Sequence, residues 1–153
     1  MRSRPHETWA GPIYLDASAL VKLFVPEPES DALNQALVGA RDVILSDLAL
    51  TEMASALGRR TREGLLTPTE SRRLYHEAEQ LAASCRRAEL TPPAHRRAER
   101  LLLTSREIAL RTLDALHIAL ATDAGVATLV TYDPRLRAAA ASQGLLVAPE
   151  SAQ

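Results

Sequence analysis

The stretch Tyr14-Leu15-Asp16-Ala17-Ser18-Ala19-Leu20-Val21-Lys22 constrains this chain more than any other. Residues 13–16 are short and apolar up to the acid and read as a buried strand. From Ala17 the apolar residues take helical spacing, and the helix ends before Pro26, where the Pro26-Glu27-Pro28 step restricts the backbone. Asp16 stands at the junction. In open α/β sheets ligands bind beyond the carboxyl ends of the strands, so a carboxylate there suits a cation or a phosphate-linked metal. Asp16 also interrupts a nearly continuous apolar run, and burying an unpaired carboxylate is costly.

The same strand-then-helix unit recurs along the chain. From Pro28 a second helix carries Leu33, Leu37 and Val38 and is closed by Gly39. Val43-Ile44-Leu45 reads as a strand covered on both faces. Ser46-Asp47 supplies cap chemistry for a helix with Leu50, Met53, Ala54 and Leu57 on it. Thr67-Pro68-Thr69-Glu70 spells a capping box with proline at the first position, opening a long polar helix to about Arg86. Ala88–Thr91 is expected as a third strand, and Pro92-Pro93 opens a helix carrying Leu101, Leu102 and Leu103. Thr112 is expected to cap the apolar helix from Leu113 to Ala121, closed by Gly125. Ala127–Thr131 predicts the fourth strand, running into Tyr132-Asp133-Pro134. An alanine-rich helix and a last strand over Leu145–Val147 finish the pattern. Short apolar strands alternating with amphipathic helices predict an α/β fold, with a short, mostly parallel central sheet and helices on both faces. We expect a polar extension over residues 1–11, one domain over 12–149 and a tail over 150–153.

With 153 residues the chain is long enough for one domain with a substantial core. Its formal net charge of −1 provides no global attraction for nucleic acid, so any such binding needs a local basic patch. Cys85 is the single cysteine, which excludes an internal disulfide and a cysteine-based zinc cage and fits a reducing, cytoplasmic compartment. No apolar run reaches the roughly 18 residues of a membrane span, and no apolar segment of a secretory signal follows Arg2 and Arg4. Aromatic residues are 3% of the chain, so base stacking cannot be the main mode of any nucleic-acid binding.

Four carboxylates fall at comparable places: Asp16, Glu52, Asp114 and Asp133. In a parallel sheet the strand ends, and the starts of the helices after them, share one edge. Asp114 precedes the fourth strand by a whole helix, so its place depends on where that helix begins. Four acids without interleaved lysines repel one another unless a cation is present, and Mg²⁺ or Mn²⁺ suits an all-oxygen site. Two such ions can clamp the attacking and leaving oxygens of a phosphodiester. Each acid has a plainer reading as well. Asp114 is equally a first-turn acid favoured by the helix dipole, and Asp133 before Pro134 is equally a cap. Ser18 and Thr131 read either as supporting hydroxyls or as ordinary cap and strand residues.

Four segments, taken in order, resemble the PIN-domain ribonucleases, and most closely the VapC-type toxins of bacterial type II toxin–antitoxin pairs. They are Tyr14–Lys22, Leu48–Leu57, Leu113–Ala119 and Leu129–Leu136, and the resemblance spans residues 12 to 149. It implies a PIN-like three-layer α/β/α sandwich, with Asp16, Glu52, Asp114 and Asp133 forming an acidic catalytic and metal pocket that Ser18 and Thr131 support. It further implies hydrolysis of RNA phosphodiesters with Mg²⁺ or Mn²⁺, a cognate VapB-type antitoxin that covers the pocket, and a homodimer. The extension at residues 1–11 departs from the family, whose members usually start directly before the first strand. Arg59 and Arg60, about two turns beyond Glu52, are the candidates for holding the RNA backbone. His117, one turn after Asp114, is expected in the core or behind the pocket. Other functions are a PIN-like module serving as a non-catalytic assembly or RNA-binding component, and an aspartyl-phosphate enzyme. The second needs another aspartate at the position of Ser18.

Overall fold

The middle of the sheet is β1 (Ile13–Leu15). In the computed structural model, which describes residues 8–150, it is flanked by β2 (Val43–Ser46) and β4 (Thr128–Val130), with β3 (Arg86–Ala88) and β5 (Leu146–Ala148) outside them. Residues 1–7 of the expected extension and 151–153 of the expected tail lie outside the described part. All four strand pairings are parallel, so the sheet is wholly rather than mostly parallel. Tyr14 pairs with Ile44 on one side and Leu129 on the other.

The period-2 alternation of β1 assigns its side chains to two layers. Ile13 and Leu15 pack with α1 (Ala17–Phe24), α2 (Ser30–Leu37), α3 (Asp47–Arg62) and α4 (Pro68–Ser84). Tyr14, Ile44 and Leu129 face the opposite cluster, built with α5 (Pro92–Thr104), α6 (Thr112–Asp123) and α7 (Pro134–Ser142). The result is the three-layer sandwich that the alternation of strands and helices predicts. The chain steps from β1 to β2 to β3 on one side, then crosses over to β4 on the other side of β1. That reversal opens a crevice at the carboxyl ends of β1 and β4, the usual ligand position in a doubly wound sheet.

Local chemistry sets the helix ends. The Ser46 hydroxyl accepts from the Ala49 N–H at 3.0 Å and starts α3. Thr67 and Glu70 form the expected reciprocal box at the start of α4, at 3.1 and 2.7 Å. Gly125, at φ 65°, takes the left-handed turn that ends α6.

Several expected boundaries move by a residue or two, among them the last strand, which is Leu146–Ala148 rather than Leu145–Val147, and two shifts have a clear physical cause. β3 lies at Arg86–Ala88 rather than Ala88–Thr91, because its register against Ile44–Ser46 decides it. As an edge strand it exposes Arg86 and Arg87, and Arg86 pairs with Asp42, so apolar patterning could not mark it. The cap of α6 is Arg111, and Thr112 is its first helical residue. The Asp114 carboxylate reaches back to the Arg111 N–H at 3.2 Å and supplies the cap from inside the helix, so no hydroxyl is needed.

Leu20 is fully buried under α1 in the first cluster, so Leu20→Ala should lower stability by about 2–5 kcal/mol, read as a lower urea midpoint with an unchanged slope. Ser46→Ala removes the cap of α3 and should cost about 1–2 kcal/mol in the same measurement.

Candidate metal centre

Asp16 and Asp133 follow the neighbouring strands β1 and β4 and cap the helices after them. The Asp16 carboxylate is 3% exposed. Its Oδ1 accepts the Ala19 N–H at 2.9 Å, and the Ser18 hydroxyl donates at 2.7 Å to Oδ1 and 3.0 Å to Oδ2. The Thr131 hydroxyl donates to Oδ2 at 2.6 Å. Burial pushes the Asp16 carboxyl above its ordinary range, more than the nearby His117 and these donors pull it down. Thr131 Oγ1 also accepts the Asp133 N–H at 3.0 Å, and Ser18 Oγ accepts the Tyr132 N–H at 2.8 Å. The two hydroxyls therefore join the end of β1 to the segment after β4. On Asp133, Oδ1 accepts the N–H groups of Arg135 and Leu136 at 2.8 and 3.4 Å. Burial pushes this carboxyl up, but those N–H groups and Arg111 outweigh it and hold it below the usual range.

Asp114 is the third residue of α6 and is buried. Both its oxygens face Arg111: Nε donates to Oδ2 at 3.0 Å and Nη2 to Oδ1 at 3.2 Å. The same Nη2 lies 2.7 Å from Asp133 Oδ2. The two carboxylates hold the Arg111 guanidinium well above its ordinary pKa. Four acids without interleaved lysines need a cation between them, and here the chain supplies one of its own in Arg111. Spacing of three residues before Asp114 is a pairing distance on a helix and could have signalled the first contact. The second is purely tertiary.

Glu52 comes from the second turn of α3, and its Oε1 lies 2.5 Å from His117 Nε2. His117 is 2% exposed, and its Nδ1 lies 2.6 Å from the Tyr14 hydroxyl. Tyr14 in turn donates to Ser46 Oγ at 3.0 Å. Since Ser46 caps the helix that carries Glu52, the network is closed: it fixes the Glu52 carboxylate against α6 through buried, hydrogen-bonded groups. His117 is thus a buried part of the pocket's wall, with its ring committed to Glu52 and Tyr14.

Asp16, Glu52, Asp114 and Asp133 all line one cavity of about 400 Å³, with Ser18 and Arg111. A neighbouring cleft of about 480 Å³ shares Ser18, Glu52 and Asp133 and continues past Arg59 and Arg60. Arg59 is exposed, whereas Arg60 donates to Glu27 at 2.6 Å, as Lys22 does at 2.5 Å. The donors around the cavity are carboxylates and hydroxyls, a set that fits hard divalent ions such as Mg²⁺ or Mn²⁺. Among the described residues no three acidic, histidine or cysteine side chains converge closely enough to grip an ion as they stand, and Arg111 is what stands between Asp114 and Asp133. No helix among the described residues is long and apolar enough to cross a membrane.

The PIN domain family model matches residues 13–142. Ribonuclease VapC46 of Mycobacterium tuberculosis is 39% identical over 137 residues, covering 88% of this chain and 95% of that protein. Ribonuclease VapC35 of the same species is 37% identical over 150 residues, covering 92% and 99%. Among solved structures, the sarcin–ricin loop cleaving toxin VapC20 of M. tuberculosis superposes with a TM-score of 0.67 at 20% identity, over 83% of this chain and 94% of that one. FitAcB of Neisseria gonorrhoeae gives 0.67 at 19% identity, over 88% and 95%. The structural likeness at this identity speaks for the fold, and the family match and sequence relatives for descent: the chain belongs to the PIN-domain family, among its VapC ribonucleases.

Proposed function

We propose that this protein is a metal-dependent endoribonuclease that hydrolyses RNA phosphodiester bonds, the toxin of a toxin–antitoxin pair. The observation that carries the reading is that Asp16, Glu52, Asp114 and Asp133, from four separate parts of the chain, line one cavity at the carboxyl edge of the sheet. These four would hold Mg²⁺ or Mn²⁺. When bound, such an ion polarises the phosphoryl oxygen and makes water a competent nucleophile near neutral pH.

The chain's own residues do the positioning. Ser18, Thr131 and the Ala19 N–H hold Asp16 in one rotamer. His117 does the same for Glu52. Arg59 and Arg60, in the adjoining cleft, would hold the RNA backbone, where a local cationic patch has to act because the whole chain is nearly neutral. The named function of the VapC relatives supports RNA as substrate. A cognate VapB-type antitoxin as partner is supported by the VapBC2 complex of Rickettsia felis, a fold neighbour at TM-score 0.64 and 14% identity. We further propose a homodimer acting in the cytoplasm.

Incubating purified protein, freed of any partner, with total cellular RNA and Mg²⁺ or Mn²⁺ tests the activity. Wild type should give discrete fragments that EDTA abolishes, and Asp16→Asn should be slower by about 100-fold or more. The amide oxygen can still accept the Ala19 N–H, so the variant should stay folded, as circular dichroism would check. Cleavage that survives both EDTA and the substitution would refute the reading. Independently, Mn²⁺ at about 100 times its dissociation constant should stabilise wild type by about 2.7 kcal/mol and raise the thermal midpoint by about 5–10 °C. A midpoint that ignores Mn²⁺ would count against any metal pocket.

A further inference from the structure

We infer that Arg111 is a built-in counter-ion of the acidic pocket: its guanidinium takes the cation's place between Asp114 and Asp133, a divalent ion enters by displacing it, and Arg111 thereby sets metal affinity. The inference rests on the metal-dependent reading above. It begins from the acceptor oxygens. Asp114 Oδ1 is occupied by Arg111 Nη2, and Oδ2 by Arg111 Nε and the Arg111 backbone N–H. Asp133 Oδ1 is committed to capping α7, and its Oδ2 faces Arg111 Nη2. Both carboxylates on this side of the cavity therefore carry the Arg111 guanidinium, whose positive charge opposes an arriving cation while Arg111 is in place. On the other side, Asp16 and Glu52 are held by hydroxyls, a backbone N–H and His117, none of which is a guanidinium.

The partners differ in freedom to move. The Arg111 side chain is 50% exposed, whereas that of Asp114 is 5% exposed and fixed in the first turn of α6. An arriving ion can push the arginine outward into water, but it cannot draw Asp114 out of the wall. The Arg111 backbone N–H can keep its bond to Asp114 while the side chain leaves, so α6 keeps its cap. In the ion-free protein the guanidinium bridges two carboxylates and offsets part of their mutual repulsion, leaving the trio with one net negative charge. A charge-assisted, bidentate contact of this kind is among the stronger surface pairings, so an ion must compete with it.

A purely structural Arg111 predicts the opposite sign. If its only task were to orient Asp114, removing it would loosen the site and weaken metal binding. The test is calorimetric titration of Mn²⁺ into the ion-free whole chain, comparing wild type with Arg111→Ala and Arg111→Gln, the glutamine keeping an N–H donor without charge. Asp114→Asn serves as the binding-deficient control. We expect both Arg111 variants to bind Mn²⁺ roughly tenfold more tightly than wild type. Without the ion their thermal midpoints should lie below wild type, and saturating Mn²⁺ should raise them further than it raises wild type. Should Arg111→Ala not fold, the glutamine variant carries the comparison. Equal or weaker Mn²⁺ binding by a folded variant, with wild type binding, overturns the role of Arg111 and leaves the metal reading intact. Absence of Mn²⁺ binding by wild type and variants alike overturns both.

Discussion

One buried negative charge governs the carboxyl edge of this sheet. Asp16 is almost wholly removed from water, and an ionised carboxylate in that position is tolerated only with donors around it. Three donors arrive from two segments: Ser18 and the Ala19 N–H from the first turn of α1, and Thr131 from the end of β4. The requirement ties the two segments together, since Thr131 also receives the Asp133 N–H and Ser18 the Tyr132 N–H. Satisfying one carboxylate thus places a second, and the crevice between β1 and β4 acquires its shape from the same bonds.

Three successive residues, the last two of β1 and the one that follows it, serve three parts of the protein. Leu15 packs under α1 to α4, Tyr14 points into the opposite layer, and Asp16 stands at the strand's end. Tyr14 carries a hydroxyl deep into an apolar cluster, and burial pushes its ionisation far above the ordinary range. The group stays neutral there and works as a link, between Ser46 at the cap of α3 and His117 on α6. Its ring also meets the His117 ring edge-on, at 5.8 Å between centroids. The polar chain from Ser46 to Glu52 leaves α3 at its cap, reaches α6 at His117 and returns to α3, and each buried member has its partner. That is why Glu52, from the far layer, can point at the same cavity as Asp114.

The electrostatics of the cavity divide in two. The side of Asp16 and Glu52 is built from hydrogen-bond donors inside the fold, while the side of Asp114 and Asp133 is balanced by a half-exposed arginine. On the proposed reading, one half of the site is held by the fold and the other is balanced by a side chain that an ion would have to displace. The adjoining cleft repeats the theme at lower stakes, with Glu27 drawing Lys22 and Arg60 together beside exposed Arg59.

Much of this was legible in the residues themselves. The short apolar runs of the strands, the 3.6-residue spacing of the helices, the capping box at Thr67 and the glycine stops mark nearly every element, because they express local backbone chemistry. The four acids were visible because each breaks an apolar segment or stands at a strand or helix boundary. β3 was displaced because an edge strand exposing arginines has no apolar signature, and only pairing with β2 sets its register. Arg111 was missed for a related reason. Its bond to Asp114 lies within one helical turn, but its bond to Asp133 joins residues 22 apart, and no periodicity records a contact made by folding. By itself, then, the sequence determined the layers of the fold and the chemistry at the sheet's edge. The tertiary structure alone decided which charges meet there, because an ion pair depends on distance in space, and the crossover from β3 to β4 sets that distance.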